Sequence, residues 1–328
     1  MPDFSSIIPE THQNISFGYI EVLIQDRRQE LFSGVMRISY PSGENFVFMF
    51  LEGVQLKLYH CAEASAEIVN RQSWSQILNH PNASVGQLPL DVEGLRLVRV
   101  IHEAPILNKE QTEYSYKELV EQAGIWAADR DPGFVHISSK GSDRIYVLAG
   151  YPASVVEELS VVAGQPRFSI VDDAFPETLP DTDYKISRYH SSVGNDIWRE
   201  YKLRLAFNPL MKLLIARFGE LAGRALADRL SGNLTNWSIN GGWNLNISSN
   251  GVINRQYFDS FDDSIQAYRG ILRQFQDEAK PAIGPRLVEN MIRESLAKLD
   301  PGFRDILTQY IYRQFEAGDA ALSQKERT

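Results

Sequence analysis

Four side chains in the first half of the chain have the types and spacing to bind an anion. Arg96 and Arg99 interrupt the apolar segment 95–101, which we expect to be a strand. Arg37 and His136 occupy equivalent places in two similar hairpins. Guanidinium and imidazolium groups donate charge-assisted hydrogen bonds to phosphate or carboxylate oxygens. The sequence therefore predicts a ligand site formed by these four residues, with solvated strand positions as the alternative.

No segment carries a signature of catalysis. The sequence lacks a phosphate-binding loop, a Gly-x-Gly-x-x-Gly motif, a Gly-x-Ser-x-Gly elbow and a His-Glu-x-x-His motif. Its six histidines are scattered singly, without the spacing of metal ligands. The single cysteine, Cys61, excludes an internal disulfide and fits a small buried residue. We therefore expect no enzyme activity, no cofactor and no metal site.

Small and aromatic residues in the second half form a candidate interaction surface. Gly219 and Gly223 stand four apart in a predicted helix, where another backbone could approach closely. Trp237 and Trp243 flank a pair of glycines and could stack on a base or a sugar. Packing of both tryptophans against neighbouring helices is the alternative, and the glycine stripe could face inward or outward.

The elements that must position the anion-binding residues look duplicated. A glycine-led strand, a polar turn, an apolar strand and a closing glycine occupy residues 34–53 and again residues 133–150. The leading glycines are 99 positions apart (133 − 34), and similar helical segments, 19–23 and 116–120, precede them. We expect two copies of one small module about a pseudo-twofold axis, with chance similarity of two hairpins as the alternative.

The sequence predicts an α+β fold: two similar small α+β modules followed by a mainly helical domain with one β-hairpin. A helix is expected over about 64–78, and the second domain's first long helix is expected to begin at Asn208-Pro209. The hairpin is expected to turn at Asn250-Gly251. The expected parts are a first module at 1–110, a degenerate second module at 111–171, an acidic proline-containing linker at 172–190 and a helical domain at 191–328.

Charge and hydropathy narrow the classes of partner. The net charge of −9 argues against a broad nucleic-acid-binding surface, which needs a basic face. No run of about 18 apolar residues would form a transmembrane segment, and the first residues lack the features of a secretory signal. We therefore expect a cytoplasmic protein.

The N-terminal part resembles a known family. The sequence FSGVMRI at 32–38, a turn, FMFLEG at 48–53 and a following strand are similar to the PatA N-terminal-like (PATAN) domain. The resemblance covers about residues 15–105, and a degenerate copy covers 114–171. It implies a bacterial signalling protein that works through protein contacts. Members often stand beside a receiver domain, which this chain lacks.

These observations together predict a non-enzymatic bacterial signalling or scaffold protein. It would act through contacts with a protein partner, or with a second copy of itself as a homodimer. The alternative is a sensor that holds a nucleotide or another small anion between the two modules. A basic concave cleft would favour the sensor, whereas an exposed apolar patch would favour the scaffold.

Overall fold

The computed structural model describes residues 8–61, 66–69, 82–127, 132–139, 142–149, 156–162, 165–171, 183–192 and 194–312. The chain forms two compact units, Met1–Asn195 and Asp196–Thr328. The first unit holds two antiparallel sheets with their helices, and the second is mainly helical. This is the α+β architecture expected from the sequence.

The first module of the first unit surrounds a six-stranded sheet in the order β1-β6-β2-β3-β4-β5. The last strand in sequence, β6, therefore lies between β1 and β2. Its elements are β1 (Glu10–Ile15), α1 (Phe17–Gln29), β2 (Gly34–Ser39), β3 (Asn45–Leu51), β4 (Val54–Cys61), β5 (Ala66–Ile68), β6 (Ala83–Pro89) and α2 (Val92–Glu103).

The second module repeats this plan strand for strand. Its six-stranded sheet has the order β7-β12-β8-β9-β10-β11, so its last strand again lies second from one edge. The repetition confirms the two similar modules expected from the sequence. Its elements are β7 (Ile106–Tyr114), α3 (Tyr116–Ala127), β8 (Gly133–Ser139), β9 (Ser142–Leu148), β10 (Val156–Val162), β11 (Gln165–Val171) and β12 (Tyr184–Ser191).

The leading glycines serve the same purpose in both modules. A Cβ atom at Gly34 would overlap the carbonyl oxygen of Leu88 on β6, and one at Gly133 would overlap that of Tyr189 on β12. Only glycine lets the neighbouring backbones come this close. The helices α1 and α3 also begin 99 positions apart, at residues 17 and 116. The sequences suggest that residue 19 corresponds to residue 116, so the structural alignment of the two helices differs from the expected one by two residues.

Each module has an apolar core between its first helix and one face of its sheet. In the first module, α1 buries Ile20, Leu23 and Ile24 against alternate residues of the central strands, among them Phe46 and Phe48. In the second, α3 supplies its own apolar residues to the matching face; these are Leu119, Ala123 and Trp126. The intervening residues of β3 are buried as well, as expected for a strand that is covered on both faces.

The segment expected as a strand at 95–101 is part of the helix α2. Asp91 caps this helix, since its Oδ1 accepts a hydrogen bond of 2.9 Å from the backbone N–H of Gly94. Nearly all of its residues are buried, including Arg96 and Arg99. The polar residues of α2 recur every three or four positions, as on one side of a helix. Within the shorter segment 95–101, however, arginines among aliphatic residues resembled the alternation of a strand.

Two further expectations need correction. The acidic stretch 172–190 is not a linker throughout, because β12 pairs with both β7 and β8 inside the second sheet. The described strands of that sheet extend from Ile106 to Ser191, beyond both ends of the expected module. The helix expected at about 64–78 falls mostly outside the described residues, and its start is occupied by the short strand β5.

The second unit packs helices around one hairpin. Its elements are α4 (Asp196–Ala222), α5 (Arg224–Asn240), β13 (Leu245–Ser248), β14 (Gly251–Asn254), α6 (Phe261–Ile283), α7 (Pro285–Ala297) and α8 (Pro301–Leu307), which continues as a π-helical turn, Thr308–Tyr312. The expected hairpin is confirmed, but its turn lies one residue earlier than expected. Ser248 pairs with Gly251, so Ser249 and Asn250 form the turn and Gly251 begins β14. None of the helices that the structure describes is both long and apolar enough to cross a lipid bilayer.

The first long helix of this unit does not begin at Asn208-Pro209, because Pro209 lies inside α4. Asn208 does not cap that helix. Its side-chain oxygen accepts a hydrogen bond of 2.9 Å from the backbone N–H of Val252, and so it fixes β14 against α4. Asn-Pro is a common sequence at the start of a helix. Here the Asn208 side chain bonds to the hairpin instead of capping a helix.

Candidate functional site

The residues expected to bind an anion lie at three places in the first unit. Arg37 on β2 and His136 on β8 hold equivalent positions, since they pair across their sheets with Gly86 and Ser187 of the corresponding strands. Arg96 and Arg99 lie one turn apart on α2. Arg37 is buried, whereas His136 is half-buried.

Each of the three arginines faces a carboxylate of the chain itself. Arg96 Nη1 lies 2.8 Å from an oxygen of Glu93, one turn earlier on α2. Arg37 Nη2 lies 3.5 Å from an oxygen of Glu10 on β1. The third, Arg99, pairs with Glu103 in the cluster described next. These pairs offset the cost of burying guanidinium groups, and they give the arginines a role inside the fold.

A polar cluster, here called the Glu103 cluster, joins the end of α2 to β4. Tyr59 Oη donates a hydrogen bond of 2.7 Å to Glu103 Oε1, and Arg99 Nε donates one of 3.2 Å to Glu103 Oε2. Lys57 Nζ lies 3.9 Å from the same carboxylate. The Tyr59 ring stacks on the imidazole of His102, with ring centroids 4.7 Å apart. The carboxylate thus holds α2 against the sheet through groups on both elements.

His102 is held in its neutral form. Its Nδ1 lies 2.7 Å from the carbonyl oxygen of Val98, so this nitrogen carries the proton and donates it. Burial lowers the pKa of His102 from its ordinary 6.5 to about 4, although the bond to Val98 and the nearby Glu103 favour the charged form. A neutral imidazole enclosed in this way makes the helix–sheet contact sensitive to acid.

The four residues of the expected interaction surface in the second unit are half-buried or exposed, and three of them contact other parts of that unit. Trp237 and Trp243 contact each other with ring centroids 5.4 Å apart, and a Cβ atom at Gly270 on α6 would overlap the Trp237 ring. Both indoles are half-buried. Gly223 has φ +97° and separates α4 from α5, while a Cβ at Gly219 would only touch the side chain of Ala227. The two glycines therefore shape a helix corner rather than a continuous stripe.

An open cleft lies between α5 and the hairpin. It has a volume of about 350 Å³ and polar walls that include Asp228, Asn236 and Asn246. Thr235, also in the wall, uses its hydroxyl for hydrogen bonds within the fold. The hydroxyl accepts a hydrogen bond from the backbone N–H of Ile247 and donates one to the carbonyl oxygen of the same residue. Within the described part of the chain, no group of three or more His, Cys, Asp or Glu side chains could hold a metal ion.

The end of α1 carries a feature that sequence reasoning missed. Leu31 has φ +53°, in the left-handed region that glycine normally occupies at this position. Its N–H donates to the carbonyl of Arg28, and the N–H of Phe32 donates to that of Arg27. These two bonds define a Schellman cap, and the Arg27 guanidinium lies over the Phe32 ring. The leucine side chain itself is 68 % exposed.

A second exposed apolar residue follows the turn that lies against Leu31. Gly53, in the turn between β3 and β4, donates its backbone N–H to the carbonyl of Phe32, and its Cβ position lies 3.2 Å from the Cα of Leu31. The next residue, Val54, is 60 % exposed. We call Leu31 and Val54 the Leu31–Val54 patch. A leucine that pays strain in a left-handed conformation and leaves its side chain in water gains nothing from the fold of its own module.

Comparison with protein-family models, with curated proteins and with solved structures gave no match to this chain.

Proposed function

We propose that this chain is a non-enzymatic signalling or scaffold protein that binds a protein partner through the Leu31–Val54 patch. The observation that carries the proposal is the conformation of Leu31. Glycine at this cap would relieve the left-handed strain, and it would remove an apolar side chain from water. A leucine kept at this place is best explained by a contact that buries it. A cytoplasmic location belongs to the same proposal.

The charges of the first unit support a scaffold rather than a sensor. An anion sensor would need guanidinium groups directed into an accessible cleft. Arg37, Arg96 and Arg99 are instead almost fully buried, and each lies against a carboxylate of this chain. The sensor of a nucleotide or similar anion stays the alternative, and a ligand retained during purification would favour it.

The test separates binding from folding. Leu31→Gly should raise the free energy of unfolding by about 1 kcal/mol, because glycine adopts the left-handed conformation without a steric cost. The same variant should lose a partner that the unmodified protein retains when it is isolated from its host and its companions are quantified by mass spectrometry. The control is Leu287→Gln, which removes an exposed leucine from α7 of the second unit.

Opposite changes in stability and in binding are the expected result. If Leu31→Gly and Leu287→Gln retain the same companions in the same amounts, the patch is not the contact. Native mass spectrometry of the purified protein tests the alternative. A bound molecule with the mass of a nucleotide would favour the sensor function over the scaffold function.

A further inference from the structure

We propose that the edge strand β7 pairs with β7 of a second copy of this chain, so that two second-module sheets join into one continuous sheet. The proposal rests on the proposed function, since it names one protein partner. Among the described strands, β7 lies at the end of its sheet and pairs with β12 alone. Every residue between its two ends is exposed.

The equivalent edge of the first sheet is closed to such pairing. There β1 meets β6 with two register shifts, and Asn14 within it has φ +54°. Irregularities of this kind prevent a second chain from adding to an edge. In contrast, β7 pairs in unbroken register with β12 from Asn108 to Tyr114. The two modules share a plan, and only the second leaves a long regular edge.

The direction of the backbone groups follows from the register. Ser191 on β12 donates its N–H to the carbonyl of Pro132, just before β8. Backbone groups alternate along a strand, so the odd-numbered residues of β12 face β8 and the even-numbered ones face β7. In the regular part of β7, the even-numbered residues therefore bond to β12. The N–H and C=O groups of Lys109, Gln111 and Glu113 point to the open edge.

These outward-facing residues form a self-complementary set. An antiparallel pair centred on Gln111 places Lys109 of each copy opposite Glu113 of the other, at hydrogen-bonded positions. The register centred on Glu110 would oppose two glutamates, and the one centred on Lys109 would oppose two lysines. Lysine on an edge strand ordinarily repels other chains. Here the spacing of charges selects one register between identical strands.

Charge exchange tests this arrangement in the full-length protein. Sedimentation of the unmodified chain over micromolar concentrations should show a monomer–dimer equilibrium. Lys109→Glu and Glu113→Lys should each weaken the dimer by about tenfold or more, because either one turns both attractive pairs into repulsive pairs. The double variant Lys109→Glu/Glu113→Lys restores both pairs and should dimerise like the unmodified chain.

Mixing the two single variants gives the sharpest readout. One copy then has glutamate at both positions and the other has lysine at both, so native mass spectrometry should show a heterodimer in excess over either homodimer. Thermal unfolding of all variants checks that each is folded. A monomer at 100-fold higher concentrations than those used for sedimentation, or a dimer that all the exchanges leave unchanged, overturns the self-pairing. The Leu31→Gly result is unaffected by either outcome, so the two proposals fail separately.

Discussion

His102 should make the protein lose stability in mild acid. Its imidazole is buried between α2 and β4, and burial lowers its pKa to about 4. In the unfolded chain the same group titrates near 6.5. As the pH falls, the unfolded state therefore takes up the proton first. The stability that depends on the neutral imidazole is nearly complete above about pH 7, and it is lost progressively as the pH falls through 6.5 towards 4.

The size of this loss follows from the two pKa values. Linkage gives a loss of about 2.5 kcal/mol at pH 4.5, against about 0.2 kcal/mol at pH 7. His102→Gln removes the titration and keeps a polar side chain of similar length. Between pH 7 and pH 4.5, the unmodified protein should therefore lose about 2 kcal/mol more unfolding free energy than the variant.

The assay is urea unfolding at pH 7 and pH 4.5, followed by circular dichroism, with linear extrapolation to water. Other titrating groups are common to both proteins, so they cancel in the difference between them. Far-ultraviolet spectra at pH 7 show whether the variant has the native fold. An equal loss of stability in both proteins would refute the reasoning, because it would mean that His102 is protonated in the folded state as readily as in the unfolded one.

Two further sets of substitutions test the packing of the first unit. Tyr59→Phe removes a hydrogen bond to the partly buried carboxylate of Glu103 and should lower the free energy of unfolding by about 1.5–3 kcal/mol. Tyr19→Phe, at an exposed position, should change it by less than about 0.5 kcal/mol. Equal effects of the two variants in urea unfolding would contradict the role of the bond. Gly34→Ala and Gly133→Ala should each destabilise by more than about 2 kcal/mol, because a neighbouring carbonyl occupies the space of the new methyl group. Gly18→Ala, inside α1 with open space around it, should stabilise the protein by about 0.5–1 kcal/mol. Thermal unfolding should therefore show a higher melting temperature for Gly18→Ala and lower ones for Gly34→Ala and Gly133→Ala. A different order would refute the equivalence of the two leading glycines.

The duplicated modules could be predicted from the sequence because their signal is local. Gly34 and Gly133 mark the same close approach of two strands, and the apolar residues that follow them keep the period of a strand. Local signals also predicted the hairpin of β13 and β14, although its turn, Ser249-Asn250, lies one residue before the expected Asn250-Gly251.

The misassigned elements depend on distant parts of the chain. In α2 the arginines are buried together with the aliphatic residues, and this burial depends on the sheet that the helix packs against and on ion pairs such as the one between Arg96 and Glu93. β12 follows an acidic stretch that resembles a linker, yet it is held by strands about 50 and 80 residues earlier.

The candidate contact residues were hidden for a different reason. The sequence around Leu31 does not predict a left-handed conformation, because glycine or asparagine normally marks such a position at the end of a helix. Val54 comes near the end of α1 only because the preceding turn residue, Gly53, lies against Leu31. The charges of β7 were readable, but the direction of its backbone groups requires the register of the sheet.

The strand order of the two sheets also sets a schedule for biosynthesis. In each module the last strand in sequence lies between the first two strands, so the sheet stays incomplete until that strand has left the ribosome. The first sheet can be completed once Pro89, the last residue of β6, has been synthesised, and the second once Ser191, the last residue of β12, has been synthesised. The roughly hundred residues between these points correspond to about 5–20 seconds of translation. The first copy can therefore finish folding before the second exposes a complete set of matching strands, and this interval protects two similar sheets from exchanging strands.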